Sequence, residues 1–344
     1  MKHVFCIGSH TRYLTAMGVI NKYKLPYKDV VFVLWRHYEC YALPDEIKTY
    51  DMSHNMMNPR TATKKQIMIY FEELEGFLNN EIAEEYTLYI AHLANYDWQV
   101  MATNKLCVDL KFIQEGIIDF CVGPHYHRRL SLVELLKRFY VDTFFMNFGR
   151  SWWPRNWDYY RYGVRHVSET FAISEGLFNK MECKHTIIEW PKAKLPIVLL
   201  DNSIYFVFES LCDTGGIERA VYMEATEKMI KKFAGEHNYV KFHPSQKEES
   251  KNYIKSLFQK SGFQVEQLPD NVPFEMILAS QPHMEVCGFT TSLVFYAALM
   301  PQHKAHICVP ALYKSRKFAN GSYWKNFEAN LKRCYGDRFK YEEL

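Results

Sequence analysis

The sequence predicts an α/β protein built as two Rossmann-like domains facing a cleft. Three observations carry that expectation. Short β-branched or aromatic runs alternate with helix-period segments, the pattern of a parallel, doubly wound sheet. The series breaks off in an irregular Trp- and Tyr-rich stretch, 147–196, and then begins again. Pro191 and Pro196 bracket WPKAKLP, which reads as the linker. At 344 residues the chain has room for two such domains, each with its own core.

In the first series residues 3–7 (HVFCI) read as a strand, Gly8-Ser9-His10 as a turn and 11–23 as a helix. Residues 29–35 (DVVFVLW) are the next strand and 64–80 an amphipathic helix. Strand 86–92 (YTLYIAH), helix 96–104 and strand 108–113 (VDLKFI) complete it. The second series opens with strand 197–201 (IVLLD), a long helix at 217–235 and strand 239–242 (YVKF). Helix 247–261, strand 263–268, a short helix at 273–280, strand 284–288 (MEVCG), helix 291–300 and strand 305–309 follow. The expected domains are 1–190 and 197–310, with 311–344 a helical segment crossing back to the N-domain.

Composition narrows the function classes. With 42 basic and 39 acidic residues the net charge is +3, so a nucleic-acid partner is not expected. The nine cysteines are scattered and form no C-x-x-C, which argues against a zinc knuckle or a thioredoxin-type site. They read as free thiols in a reducing compartment. The opening MKHVFCIG is a strand pattern and not a signal peptide, and no apolar stretch approaches ~20 residues. The expected location is cytoplasmic, with peripheral contact at the inner membrane left open, as is a homodimer.

In open α/β sheets ligands bind beyond the carboxyl ends of strands. Read at those ends, the sequence offers three principal candidates. His243-Pro244 follows YVKF and precedes a helix, so the imidazole projects towards a helix amino terminus, where phosphate is favoured; a plain turn is the alternative. Thr290, Thr291 and Ser292 follow a strand and begin a helix. They suit an N-cap, and the same N–H groups and hydroxyls suit phosphate oxygens, with Gly288 permitting close approach. Glu115 beside Gly116 can take a proton from a sugar hydroxyl, or stand as a solvated loop residue. Gly8, Ser9, His10, Asn95 and Asp97 are donor or acceptor contacts by position, with Asp97 the fallback base. Asp213–Gly216 and Pro269–Asn271 are loops suited to lie near a nucleotide. Trp152, Trp153 and Trp157, amid arginines, suit sugar stacking, a lid, a membrane patch or simple packing.

Taken in order, Glu115-Gly116, His243-Pro244 and Thr291-Ser292 resemble the D/E-D/E-G, HP and S-S/T motifs of the bacterial GT-B sialyltransferases, the lipooligosaccharide sialyltransferase and polysialyltransferase families. The segment ETFAISEGLF (169–178) is similar to a stretch that these families also carry. The resemblance implies a GT-B glycosyltransferase with CMP-sialic acid as donor and an oligosaccharide acceptor, lipooligosaccharide or capsule. It implies Glu115 as general base, His243 on the CMP phosphate with Pro244 shaping that turn, and Thr291 and Ser292 on the same phosphate. Gln114 stands where the motif carries its first acidic residue. No cofactor is expected, and no D-x-D metal signature occurs in the sequence. A CMP-Kdo transferase, a nucleotide-sugar epimerase or hydrolase, and a non-catalytic glycan-binding or capsule-assembly module are the alternatives.

Overall fold

The computed structural model describes residues 1–53, 63–93, 95–116, 132, 133, 136, 167–178, 181–336 and 339–344. Trp152, Trp153 and Trp157 lie outside them. The chain divides into two compact units, Met1–Trp190 and Pro191–Leu344.

The first unit holds seven strands: β1 (Lys2–Ile7), β2 (Val30–Leu34), β3 (Lys48–Asp51), β4 (Tyr86–Ile90), β5 (Cys107–Ile113), β6 (Glu169–Ala172) and β7 (Lys184–Ile187). Their spatial order is β3-β2-β1-β4-β5-β6-β7, and every pairing is parallel. Helices α1 (His10–Tyr23), α2 (Lys64–Phe77) and α3 (Tyr96–Thr103) are the described crossovers. β1, β2 and β4 are buried nearly throughout, as strands covered on both faces must be. That is where much of the aromatic content goes: Phe5 stacks on Tyr89 with ring centroids 4.0 Å apart and meets the edge of Phe32 at 5.7 Å.

The second unit is a five-stranded parallel sheet: β8 (Ile204–Val207), β9 (Asn238–Lys241), β10 (Glu266–Gln267), β11 (Glu285–Gly288) and β12 (Lys304–Ile307). The spatial order β10-β9-β8-β11-β12 repeats the topology of the first unit. Helices α4 (Arg219–Phe233), α5 (Glu248–Lys260), α6 (Phe274–Ser280) and α7 (Ser292–Leu299) connect the strands. Two further helices, α8 (Arg316–Ala319) and α9 (Ser322–Tyr335), close the chain within this unit. Trp324 and Phe327 of α9 pack on Phe295 of α7. Beyond α9, Tyr341 bridges Ile307, the Glu342 amide donates to the Ile307 carbonyl at 2.9 Å, and the Glu342 carboxylate reaches His306 and Lys232 at 3.0 Å each.

The α/β class and the two parallel sheets agree with the expectation, and most element bounds shift by one or two residues. Three differences are larger. Residues 197–201 are not a strand; they run as an irregular, partly exposed segment, with Val198 92% exposed, and the strand begins at Ile204. IVLLD is apolar enough to read as a strand, but it lies immediately after Pro196, and the sheet instead takes the better-buried IYFV. Strand 263–268 contracts to Glu266–Gln267 at a sheet edge. The edge strands β3 and β7, mostly exposed and polar, and β6, inside the stretch read as irregular, carry too little apolar signal to be picked out. Among the described residues no helix is long and apolar enough to cross a membrane.

One glycine fixes how α1 packs. A Cβ at Gly18 would stand 2.6 Å from the Glu189 carbonyl oxygen and 2.9 Å from Ile188 Cδ1. Alanine ordinarily stabilises a helix interior by ~0.5–1 kcal/mol over glycine. Here a collision with backbone outweighs that gain, so Gly18→Ala is expected to cost ~1–3 kcal/mol. Thermal unfolding should show a drop of several degrees; an unchanged or raised midpoint would contradict this packing.

Candidate functional site

Both sheets reverse their strand order at one place, β1/β4 in the first unit and β8/β11 in the second. At such a switch point neighbouring crossovers leave in opposite directions and a crevice opens at the carboxyl ends of the strands. Each unit gathers a polar constellation there.

In the first unit it centres on Glu115, two residues past the end of β5. Glu115 Oε1 pairs with Arg12 Nη2, and Oε2 lies 3.3 Å from His92 Nε2, with the Glu115 side chain 16% exposed. Arg12 is 1% exposed, and its guanidinium carbon sits 4.7 Å from the centre of the Trp98 ring. The His92 ring stands against the same indole at 4.5 Å. Trp98 thus backs both partners of the carboxylate, and ion pairing with a buried guanidinium fixes the orientation of Glu115. Gly8 makes room for this: a Cβ there would lie 3.3 Å from Arg12 Nη1.

Gln114 has a different duty. It is fully buried, its amide donates to the Phe171 carbonyl at 3.0 Å, and its Oε1 accepts the Ile173 amide at 3.0 Å. It stitches the end of β5 to the end of β6. A neutral amide suits a fully buried position better than a second carboxylate would, which accounts for the departure from an acidic pair.

The other expected contacts of this unit are placed as follows. Ser9 caps α1, accepting the Arg12 amide at 3.3 Å. His10 Nδ1 lies 3.1 Å from the Tyr38 hydroxyl. Asn95 stands at the N-cap of α3 without a side-chain capping bond. Asp97, in the first turn of α3, is largely desolvated, which raises its carboxyl above the usual range, and it acts on Tyr70 and Cys6. The 169–178 segment includes β6, where Glu169 takes Lys184, Lys111 and Thr186 at 2.7, 3.0 and 2.5 Å. Those hydrogen bonds, opposed by burial, bring its carboxyl down to about 2.

In the second unit His243 and Pro244 follow β9 on the surface. The Ser245 amide donates to His243 Nδ1 at 3.2 Å and the Ser245 hydroxyl lies 2.7 Å from the same nitrogen. A ring nitrogen that accepts an amide N–H carries no proton of its own, so the hydrogen resides on Nε2. Desolvation lowers the His243 pKa and keeps this neutral donor form. The turn is held by the His243 amide, which donates to Gln246 Oε1 at 3.0 Å.

The α5 amino terminus next to this turn is already engaged. Asp213 accepts the Lys247 amide at 3.0 Å and the Ser250 hydroxyl at 2.7 Å. The Asp213–Gly216 loop is therefore docked on α5, its turn passing through Gly215 at φ +76°. The Pro269–Asn271 loop is likewise pinned: buried Lys241 donates to the Pro269 and Val272 carbonyls at 2.7 and 2.9 Å.

Thr290, Thr291 and Ser292 lie at the amino end of α7, beside the β8/β11 switch point, all partly exposed. Thr291 is the N-cap, its hydroxyl accepting the Leu293 amide at 3.4 Å. The Thr290 amide donates to Glu209 Oε2 at 3.3 Å. Gly288 is needed inside the sheet: a Cβ there would meet Val207 Cγ2 at 2.9 Å and Thr291 Cγ2 at 3.3 Å.

Arg12, His92, Lys241 and Glu209 are the members that sequence reading did not select. His92 and Glu209 each follow a strand end, where the same rule applies. Arg12 lies one turn into a helix and Lys241 inside a strand, where sequence carries no mark.

The model of a family described as Alpha-2,8-polysialyltransferase (POLYST) matches residues 4–310 of this chain. No curated protein matches it. Among solved structures, MurG from Acinetobacter baumannii is 8% identical over 100% of this chain and 85% of its own, at a TM-score of 0.44. A glycosyltransferase from Rickettsia africae is 8% identical over 98% and 95%, at 0.44. HepE from Anabaena, in complex with UDP and glucose, is 11% identical over 99% and 96%, at 0.46.

Proposed function

The chain belongs to the alpha-2,8-polysialyltransferase family, a glycosyltransferase of sialyltransferase type, and from that membership we propose that it moves sialic acid from CMP-sialic acid to a hydroxyl of a bacterial surface glycan, lipooligosaccharide or capsule, with inversion and without a metal. The observation that carries the reading is a pair of polar groupings at the carboxyl ends of the two sheets: a carboxylate held by Arg12 and His92 in the first unit, and, in the second, a neutral imidazole past β9 with its N–H on Nε2 and a Ser/Thr helix start past β11.

The chemistry runs as one displacement. The acceptor oxygen forms a bond to the anomeric carbon as the bond from that carbon to the CMP phosphate oxygen breaks. Glu115 receives the acceptor hydroxyl's proton. The electron pair leaves with CMP, whose phosphate gains charge, and His243 Nε2–H donates a hydrogen bond to it. The hydroxyls of Thr290, Thr291 and Ser292, with the free amides at the start of α7, add donors around the same phosphate. Attack from the face opposite CMP turns a β-linked donor into an α-linked product. The work is cytoplasmic in this reading.

Calorimetric titration tests it. The protein is expected to bind CMP more tightly than UMP, unaffected by EDTA, and to release CMP from CMP-sialic acid when an oligosialic acid acceptor is present. Preference for UMP would overturn the donor assignment. CMP binding with turnover of CMP-Kdo alone would replace sialic acid by Kdo.

A further inference from the structure

Glu209 stands at the carboxyl end of β8, on the opposite side of the switch point from Thr290. It is 8% exposed. One oxygen, Oε2, takes the Thr290 amide at 3.3 Å, and the Thr291 amide also acts on the carboxyl. The other, Oε1, is buried without a hydrogen-bond partner among the described residues. A buried carboxyl oxygen left unpaired costs ~1–3 kcal/mol, and more if it is charged. A site that tolerates this cost at the amino end of α7 has a use for the atom.

We propose that Glu209 is a phosphate-binding residue that works as the neutral acid, donating a hydrogen bond from Oε1 to the donor's phosphate while Oε2 keeps the Thr290 amide, so that binding of the nucleotide draws a proton onto Glu209. The identity of the phosphate-bearing ligand rests on the reading given under Proposed function; the protonation of Glu209 does not. Ionised, the side chain would place a negative charge against an incoming phosphate. Protonated, it adds a donor.

The surroundings fit that role. Burial is the main cause that lifts the Glu209 carboxyl to about 7. Tyr222 of α4, whose hydroxyl donates to the Glu209 carbonyl at 3.3 Å and also acts on the Glu209 carboxyl, is raised well above the usual tyrosine range by burial. The Cys212 thiol, in the turn after β8, is also raised by burial. Both stay neutral near pH 7. Asp213 is bound to the α5 amino terminus, and Arg219 acts on Cys212. Glu209 is thus the acid among these neighbours whose charge changes in the neutral range.

The test is calorimetry of the full chain with CMP, UMP and inorganic phosphate, in buffers of different ionisation enthalpy, between pH 6.5 and 8.5. Wild type is expected to take up more protons than Glu209→Gln on binding, the excess rising from about a quarter of a proton at pH 6.5 to nearly one at pH 8.5. Its affinity for CMP is expected to fall about 20-fold across that range relative to the variant, the limit for one proton linked at a carboxyl near 7. Binding of all three probes alike, still with Glu209-dependent proton uptake, supports this proposal and overturns the CMP assignment. CMP-selective binding with equal proton uptake in both proteins overturns this proposal and leaves the CMP assignment standing. No binding by any probe overturns both. Infrared difference spectra of wild type supply a readout independent of the variant's folding: the C=O band of a protonated carboxyl should grow when phosphate binds, and a flat difference spectrum overturns the proposal.

Discussion

Glu115→Gln is expected to lower kcat by ~10²–10⁴-fold, the usual worth of a positioned general base, while CMP affinity changes little. Glutamine keeps the size of the side chain and an oxygen to face Arg12, but cannot accept the acceptor's proton. Removing one partner of a buried ion pair can itself cost ~3–5 kcal/mol by stranding the other charge, and Arg12 is almost wholly buried. Thermal unfolding and turnover must therefore be measured on the same preparation. A folded variant with wild-type kcat would remove Glu115 from the mechanism and direct attention to Asp97, with Asp97→Asn as the next variant. A binding module would show no turnover in either form and would keep its glycan affinity.

His243→Ala is expected to weaken CMP binding by about 10- to 100-fold, since a hydrogen bond to a charged group contributes ~1.5–3 kcal/mol, and to reduce kcat as well. The direction of its pKa decides between two roles. A histidine lowered from its ordinary value is neutral at pH 7, so it serves as a hydrogen-bond donor to the phosphate and not as a source of a full proton. The neutral form predominates above the lowered pKa, so the Nε2–H contact should already contribute at pH 7 and should strengthen as acid charges the ring. Ser245→Ala, which removes the hydroxyl 2.7 Å from Nδ1 but keeps the amide, should have a smaller effect in the same direction. Unchanged CMP affinity in His243→Ala would sink the phosphate-contact role.

The sequence makes the sheets legible where strands are covered on both faces, because continuous apolar runs such as VFCI and VVFVL have no other cheap conformation. It fails at edges, where KTYD and KHTI are exposed and their polar residues cost nothing. That failure reached the site once. Reading IVLLD as the strand put its carboxyl end at Asp201, so the strand-end rule passed over Glu209, which follows the strand that forms three residues later. A misplaced strand thus hid a buried carboxyl. Arg12 was illegible for another reason: its meeting with Glu115 spans 103 residues of chain, and only the β1/β4 neighbourhood brings them together. Gln114 shows the reverse, a residue that departs from a motif and is accounted for by the two amides it joins across β5 and β6.

The short tail beyond α9 has a bearing on handling the protein. Tyr341 and Glu342 run alongside β12, the outer strand of the second sheet, and Glu342 is tied to His306 and Lys232. An uncovered outer strand offers its backbone as a template to other chains. The tail acts as a guard rail against such stacking, so a cut upstream of Tyr341 would threaten solubility before it touched either polar constellation.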